Sequence, residues 1–108
     1  MKFNTKLALL ALFICITTNA NAITRMGAIS CGEWVASQAN TASIAQQYWL
    51  SGFLSGMAAG TQEDVLYGVS GESLTLWVDN YCQANPLENT FSAGILLFME
   101  LKKQKGLK

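Results

Sequence analysis

The chain has 108 residues, 51% of them hydrophobic and 13% charged, a size and composition that suit one small globular domain rather than several. Seven basic and seven acidic residues cancel, so no overall charge argues for nucleic acid or an anionic lipid surface as a partner. Histidine is absent, which removes the commonest general base near neutral pH and the commonest transition-metal ligand.

Lys2 and Lys6 precede an apolar run from Leu7 to Ile16, and Ala20-Asn21-Ala22 supplies the small-x-small pattern at which a signal peptidase cuts. The pattern predicts a cleaved signal peptide over 1–22, a mature chain over 23–108 beginning at Ile23, and export to the periplasm. The run is shorter than the ~20 consecutive apolar residues of a membrane span, and no later segment supplies them, so no span is expected once the leader is gone. Cys15 leaves with the leader. Cys31 and Cys82 remain, an even pair in an oxidising compartment with one intramolecular connectivity. No C-x-x-C is present, so the pair reads as a structural disulfide closing a loop of about 50 residues, worth about 4 kcal/mol in the chain-entropy model. That is a large contribution for a chain of roughly 85 residues with a thin core.

Helical periodicity dominates the rest. Ser30 with Glu33 three residues later predicts a capping box opening a first helix, which places Cys31, Trp34 and Val35 on one face. A second helix starts at Thr41 or Ser43 and runs from Ile44 to about Gly60 without proline or charge, the longest candidate for burial. A loop with Thr61, Gly68 and Gly71 follows, with room for a short extra helix around Glu63 to Tyr67. Leu74, Trp77, Val78, Tyr81 and Cys82 then fall at i, i+3, i+4, i+7 and i+8, an amphipathic third helix. Pro86 disfavours helical geometry at Asn85, which ends that helix and can cap a fourth, with Pro86 at its first position and Glu88 closing the box. Along the fourth helix Phe91, Ile95, Phe98 and Leu101 are expected to face the core, its terminal lysines suit the helix dipole, and Gly106 is the expected stop. The expectation is one compact all-α, four-helix domain whose disulfide pins the first helix to the third.

Gly52, Gly56 and Gly60 recur every fourth residue beside Ser51, Ser55 and Ala59, forming a smooth strip along the second helix. Glycine inside a helix costs up to about 1 kcal/mol relative to alanine, so three of them need a compensating reason. Close approach of another backbone within the chain is the simplest. A homodimer or partner-protein face and a ligand groove are the alternatives.

Charge is segregated along the chain. Between Met26 and Leu101 there is no Lys or Arg, while Glu33, Glu63, Asp64, Glu72, Asp79, Glu88 and Glu100 lie there; apart from Arg25, the remaining bases are Lys102, Lys103, Lys105 and Lys108 in a basic C-terminal tail. An acidic body suits a basic protein partner, or serves solubility alone. Catalytic chemistry finds no purchase: with both thiols oxidised there is no cysteine nucleophile, and no serine has an identifiable base beside it. Glu63-Asp64 is the only close acid pair, but neighbours on a helix project in different directions, and the spacing of an EF-hand is missing. No enzyme activity, metal or cofactor is expected. Glu63, Asp64 and Tyr67 are the candidate partner-binding residues, with Trp49 or Trp77 as further aromatic anchors.

Trp49-Leu50-Ser51-Gly52-Phe53-Leu54-Ser55-Gly56, then Ser73-Leu74-Thr75-Leu76-Trp77-Val78-Asp79-Asn80-Tyr81-Cys82-Gln83-Ala84-Asn85-Pro86 and a final amphipathic helix, resemble the Rap/Tai group of small periplasmic immunity proteins of type VI secretion. One cysteine opening the first helix and a second ending the third, with a helix after it, is similar also to the HdeA-like periplasmic acid-stress proteins. The first resemblance implies a non-catalytic protein-binding module that inhibits a secreted, cell-wall-targeting effector. The second implies a chaperone that loosens when its carboxylates are protonated. A structural envelope protein without a specific client is a third reading.

Overall fold

The computed structural model describes residues 22–108, so the expected signal peptide, with Cys15, lies outside the described residues apart from Ala22. Four helices follow in order: α1 (Cys31–Ser37), α2 (Ala42–Thr61), α3 (Gly71–Ala84) and α4 (Thr90–Gln104). The domain is all-α, and among the described residues the only β-type pairing is an isolated antiparallel bridge between Ser30 and Asn89.

The start of α1 follows its local signal. The Ser30 backbone N–H donates to Glu33 Oε2 at 2.9 Å, and the Glu33 N–H donates to Ser30 Oγ at 3.1 Å. The first of these bonds, then the Ser30 hydroxyl, hold the Glu33 carboxyl below its usual range. With seven residues, α1 is too short to persist alone, and its burial of Cys31, Trp34 and Ser37 fixes it. Trp34 is fully buried, and its indole N–H has no hydrogen-bond partner among the described residues. Cys31 is bonded to Cys82 near the end of α3, with the two Cα atoms 4.8 Å apart.

The core is assembled from one side of each helix. Cys31 and Trp34 come from α1, Leu50 and Leu54 from α2, Leu74, Val78 and Cys82 from α3, and Ala93, Leu97, Phe98 and Leu101 from α4, with Val65 closing the loop side. Leu74, Val78 and Cys82 are buried as the third-helix stripe requires, while Trp77 and Tyr81 stack on each other half-buried at its flank, rings 5.6 Å apart. Burial, then the charge of Glu88, push the Tyr81 phenol above its usual range.

Four sequence expectations are corrected by the packing. The long, uncharged α2 is not the most buried helix, since only Leu50 and Leu54 are fully enclosed along its 20 residues. Residues 62–70 form turns rather than a fifth helix. Asn85 caps only the end of α3, its side-chain amide donating to the Tyr81 carbonyl at 2.9 Å; Asn89 caps α4, accepting from the Ser92 N–H at 3.0 Å. Tertiary pairing selects the later asparagine: the Cys31 N–H donates to the Glu88 carbonyl and the Thr90 N–H to the Ile29 carbonyl, both at 2.9 Å, so Asn89 between them is held extended against Ser30 at the entry to α1. The core stripe of α4 shifts accordingly, with Thr90, Ala93, Gly94 and Leu97 joining Phe98 and Leu101 inside while Phe91 and Ile95 are half-buried. Gly106, at φ +69, does end α4.

Candidate functional site

The glycine strip faces outward. Gly52, Gly56 and Gly60 are exposed, and a Cβ built on any of them meets nothing within 4 Å, so intrachain packing is not their reason. At 100° per residue Gly52 and Gly56 lie across the helix from Leu50 and Leu54 and share their face with Ala45, Tyr48, Ser55 and Ala59, all exposed. The close approach occurs elsewhere: the Phe53 ring lies on Gly94 of α4, where a Cβ would come within 2.6 Å of it. Helix α2 therefore presents an uncharged, small-residue outer face on which Tyr48 stands 76% exposed.

Glu63, Asp64 and Tyr67, the candidate partner-binding residues, lie on the loop between α2 and α3, where lysines from the C-terminal end of the chain reach two of them. Lys102 Nζ donates to Glu63 Oε1 at 3.1 Å and lies 2.9 Å from Oε2, a partly buried ion pair that neutralises the carboxylate. Lys105 donates to the Tyr67 carbonyl and sits 5.6 Å from the centre of its ring. Asp64 and Tyr67 stay exposed, but the basic tail folds onto the loop that contains them. Segregation along the sequence is thus not segregation in space. Glu63→Lys, which sets two ammonium groups against each other, is expected to destabilise by ~1 kcal/mol, and adding Lys102→Glu should restore most of the loss in a denaturant melt. Equal stability of both variants and the parent would show that the pair contributes nothing.

The surface that combines concavity, exposed apolar side chains and uncompensated acid lies between α2 and α3. A shallow groove of about 540 Å³ is lined by Ile44, Gln47, Tyr48 and Ser51 of α2 and by Ser70 and Glu72 at the start of α3. It adjoins a second depression of about 250 Å³ that shares Gln47 and Glu72 and adds Gln38, Leu76 and Asp79. Ile44, Tyr48 and Leu76 are large exposed apolar groups along this path, and neither lining contains a Lys or Arg. Asp79 accepts from Gln83 Nε2 at 2.9 Å, which orients its carboxylate without neutralising it. Sequence reasoning missed this groove because Tyr48 and Ile44 sit in an apolar run that reads as buried, and Glu72 reads as a first-turn acid.

The other aromatic anchors are engaged within the chain. Trp49 stacks on Phe53 with ring centres 5.1 Å apart, and its indole N–H donates to the Met26 carbonyl at 2.7 Å. Among the described residues no group of three or more His, Cys, Asp or Glu side chains could hold a metal ion, and no helix is long and apolar enough to cross a membrane. No known protein family, curated protein or solved structure matches the chain.

Proposed function

We propose that this chain is a non-catalytic protein-binding module of the periplasm, acting as an immunity-type inhibitor of a secreted, cell-wall-targeting effector, and that the α2–α3 groove receives a basic segment of that partner. The observation that carries the reading is the groove itself, where Glu72 and Asp79 border exposed Ile44, Tyr48 and Leu76 with no base in the lining. An aromatic anchor beside a concave rim whose charges are all of one sign suits an interface hot spot with electrostatic steering. The three outward glycines fit the same purpose, since they let a partner backbone approach α2.

A stoichiometric complex recovered from periplasm is the expected result. Tyr48→Ala should weaken it by roughly 30-fold, the size of a ~2 kcal/mol hot spot. Glu72→Lys with Asp79→Lys should slow association and flatten its salt dependence, with a small loss of melting temperature because Glu72 also stands in the first turn of α3. The runner-up, an HdeA-like acid chaperone, draws support from Glu33 and Glu63, whose carboxylates hold the cap of α1 and the end of α4. The contribution of Glu33, with its lowered pKa, is present above the ordinary carboxylate range and is lost as pH falls through the lowered folded value. Suppression of aggregation of many clients near pH 2 to 3, with no neutral-pH complex, would replace the binding-module reading with this one.

A further inference from the structure

The opposite flank of α2 carries a second recognisable surface. Trp49, Phe53 and Phe91 form a continuous ladder, with Trp49 stacked on Phe53 and Phe91 tilted against Phe53 at 5.4 Å between ring centres. The ladder is fixed from below, because Phe53 lies on Gly94 without an intervening Cβ. Its cover is of another kind. Residues 22–26 have no regular structure and are exposed, Ile23 and Met26 by 74% and 81%, and Arg25 and Met26 reach the ladder.

Two polar contacts seat this cover. The Met26 carbonyl takes the Trp49 indole proton, and the Arg25 guanidinium lies 5.4 Å from the centre of the Phe91 ring, within the range of a cation–π contact. Immediately afterwards the chain turns at Gly27, whose φ of +77 and whose missing Cβ, 2.5 Å from Trp49, permit the bend. Tight anchoring begins at Ile29, whose N–H donates to Thr90 Oγ1 at 3.0 Å. A segment serving only to complete the core would bury its isoleucine and methionine; this one presents a guanidinium and a backbone carbonyl to a preformed aromatic surface and leaves its apolar side chains in solvent.

We propose that the Trp49–Phe53–Phe91 ladder is a recognition site for an extended peptide segment of a partner protein that carries an arginine, and that residues 23–27 occupy it in cis as a displaceable strap. The chemistry of the occupant is read from the strap: a guanidinium over Phe91 and a carbonyl, one residue on, accepting from Trp49 Nε1. Neither contact depends on the strap belonging to the same chain. The site is separate from the α2–α3 groove, since residues 49 and 53 project about 100° or more around the helix from residues 44 and 48.

A cis ligand lowers the apparent affinity for the same ligand in trans, so weakening the strap should strengthen peptide binding. The probe is a capped Ile-Thr-Arg-Met-Gly-Ala peptide titrated into the purified protein and into its Arg25→Ala variant, with the Trp49 indole N–H followed by NMR. Arg25 is exposed, so its replacement leaves the fold intact. The expected result is a shift of the Trp49 signal and binding to Arg25→Ala roughly 2- to 5-fold tighter than to the parent, the range of one exposed cation–π contact. A peptide with alanine in place of arginine should bind more weakly to both proteins. Equal binding of the two peptides, no gain on Arg25→Ala, or an unmoved Trp49 signal would each overturn the proposal. A concentration-dependent dimer of the parent that Arg25→Ala dissolves would assign the ladder to a second copy of this chain and likewise overturn it. Loss of the groove complex on Tyr48→Ala bears on the other surface alone, so the two readings fail separately.

Discussion

Replacing both cysteines, Cys31→Ser with Cys82→Ser, is expected to lower stability by about 4 kcal/mol and the melting temperature by about 15 °C or more. The bridge spans a sequence separation of 51, and opening it returns that loop's conformational freedom to the unfolded chain. The effect is large against the 5–15 kcal/mol that holds a typical domain together. Helix α1 concentrates the consequence. Its seven residues contribute Cys31 and Trp34 to the core but cannot hold a helix by themselves, and the remaining ties are the Ser30–Glu33 cap and the pairing of residues 29–31 with 88–90. Thermal melts of the oxidised and reduced parent, beside the double-serine variant, give the check. If reduction moves the melting temperature by only a few degrees, those local ties rather than the bridge carry α1.

What the sequence made legible was local. The Ser30–Glu33 box, the Leu74–Val78–Cys82 stripe and the Gly106 stop each lie within one or two helical turns, so the residues that specify them are also the residues that satisfy them. Pairing Cys31 with Cys82 needed no geometry once Cys15 is assigned to the expected leader, and the two are bonded. The misread features depend on distant partners. Asn85 and Asn89 are both plausible caps by composition, and the choice falls to Asn89 because Ile29 and Cys31, about 60 residues away in sequence, bind the backbone around it. Lys102 finds Glu63 across 39 residues, which turns an apparently free acid into half of an ion pair. The acidic groove was hidden for the same reason: an uncharged helix such as α2 has no periodic signal to say which side faces water, so Tyr48 could be placed outside only once Leu50 and Leu54 were seen to be inside.

The glycines give the sharpest contrast between a pattern and its use, and they carry the second large effect. Gly94→Ala is expected to destabilise by ~1–3 kcal/mol, because its Cβ would stand 2.6 Å from the Phe53 ring. That ring cannot yield cheaply, since it is stacked on Trp49 and tilted against Phe91, so either the ladder breaks or α4 moves away from α2. Gly56→Ala should do the reverse and stabilise by up to ~1 kcal/mol, gaining helix propensity at a position where the added methyl meets nothing within 4 Å. A lone glycine in an apolar helix carries no visible pattern, whereas three in register do, yet it is the lone one that two helices meet upon. Paired thermal melts decide the matter by sign. If Gly94→Ala melts at or above the parent, Phe53 has room to move and the ladder is not held from below. If Gly56→Ala destabilises, and does so more strongly as protein concentration rises, another copy's backbone is already seated on the strip in solution, and the outer face of α2 is a homodimer interface rather than a surface kept open for a different partner.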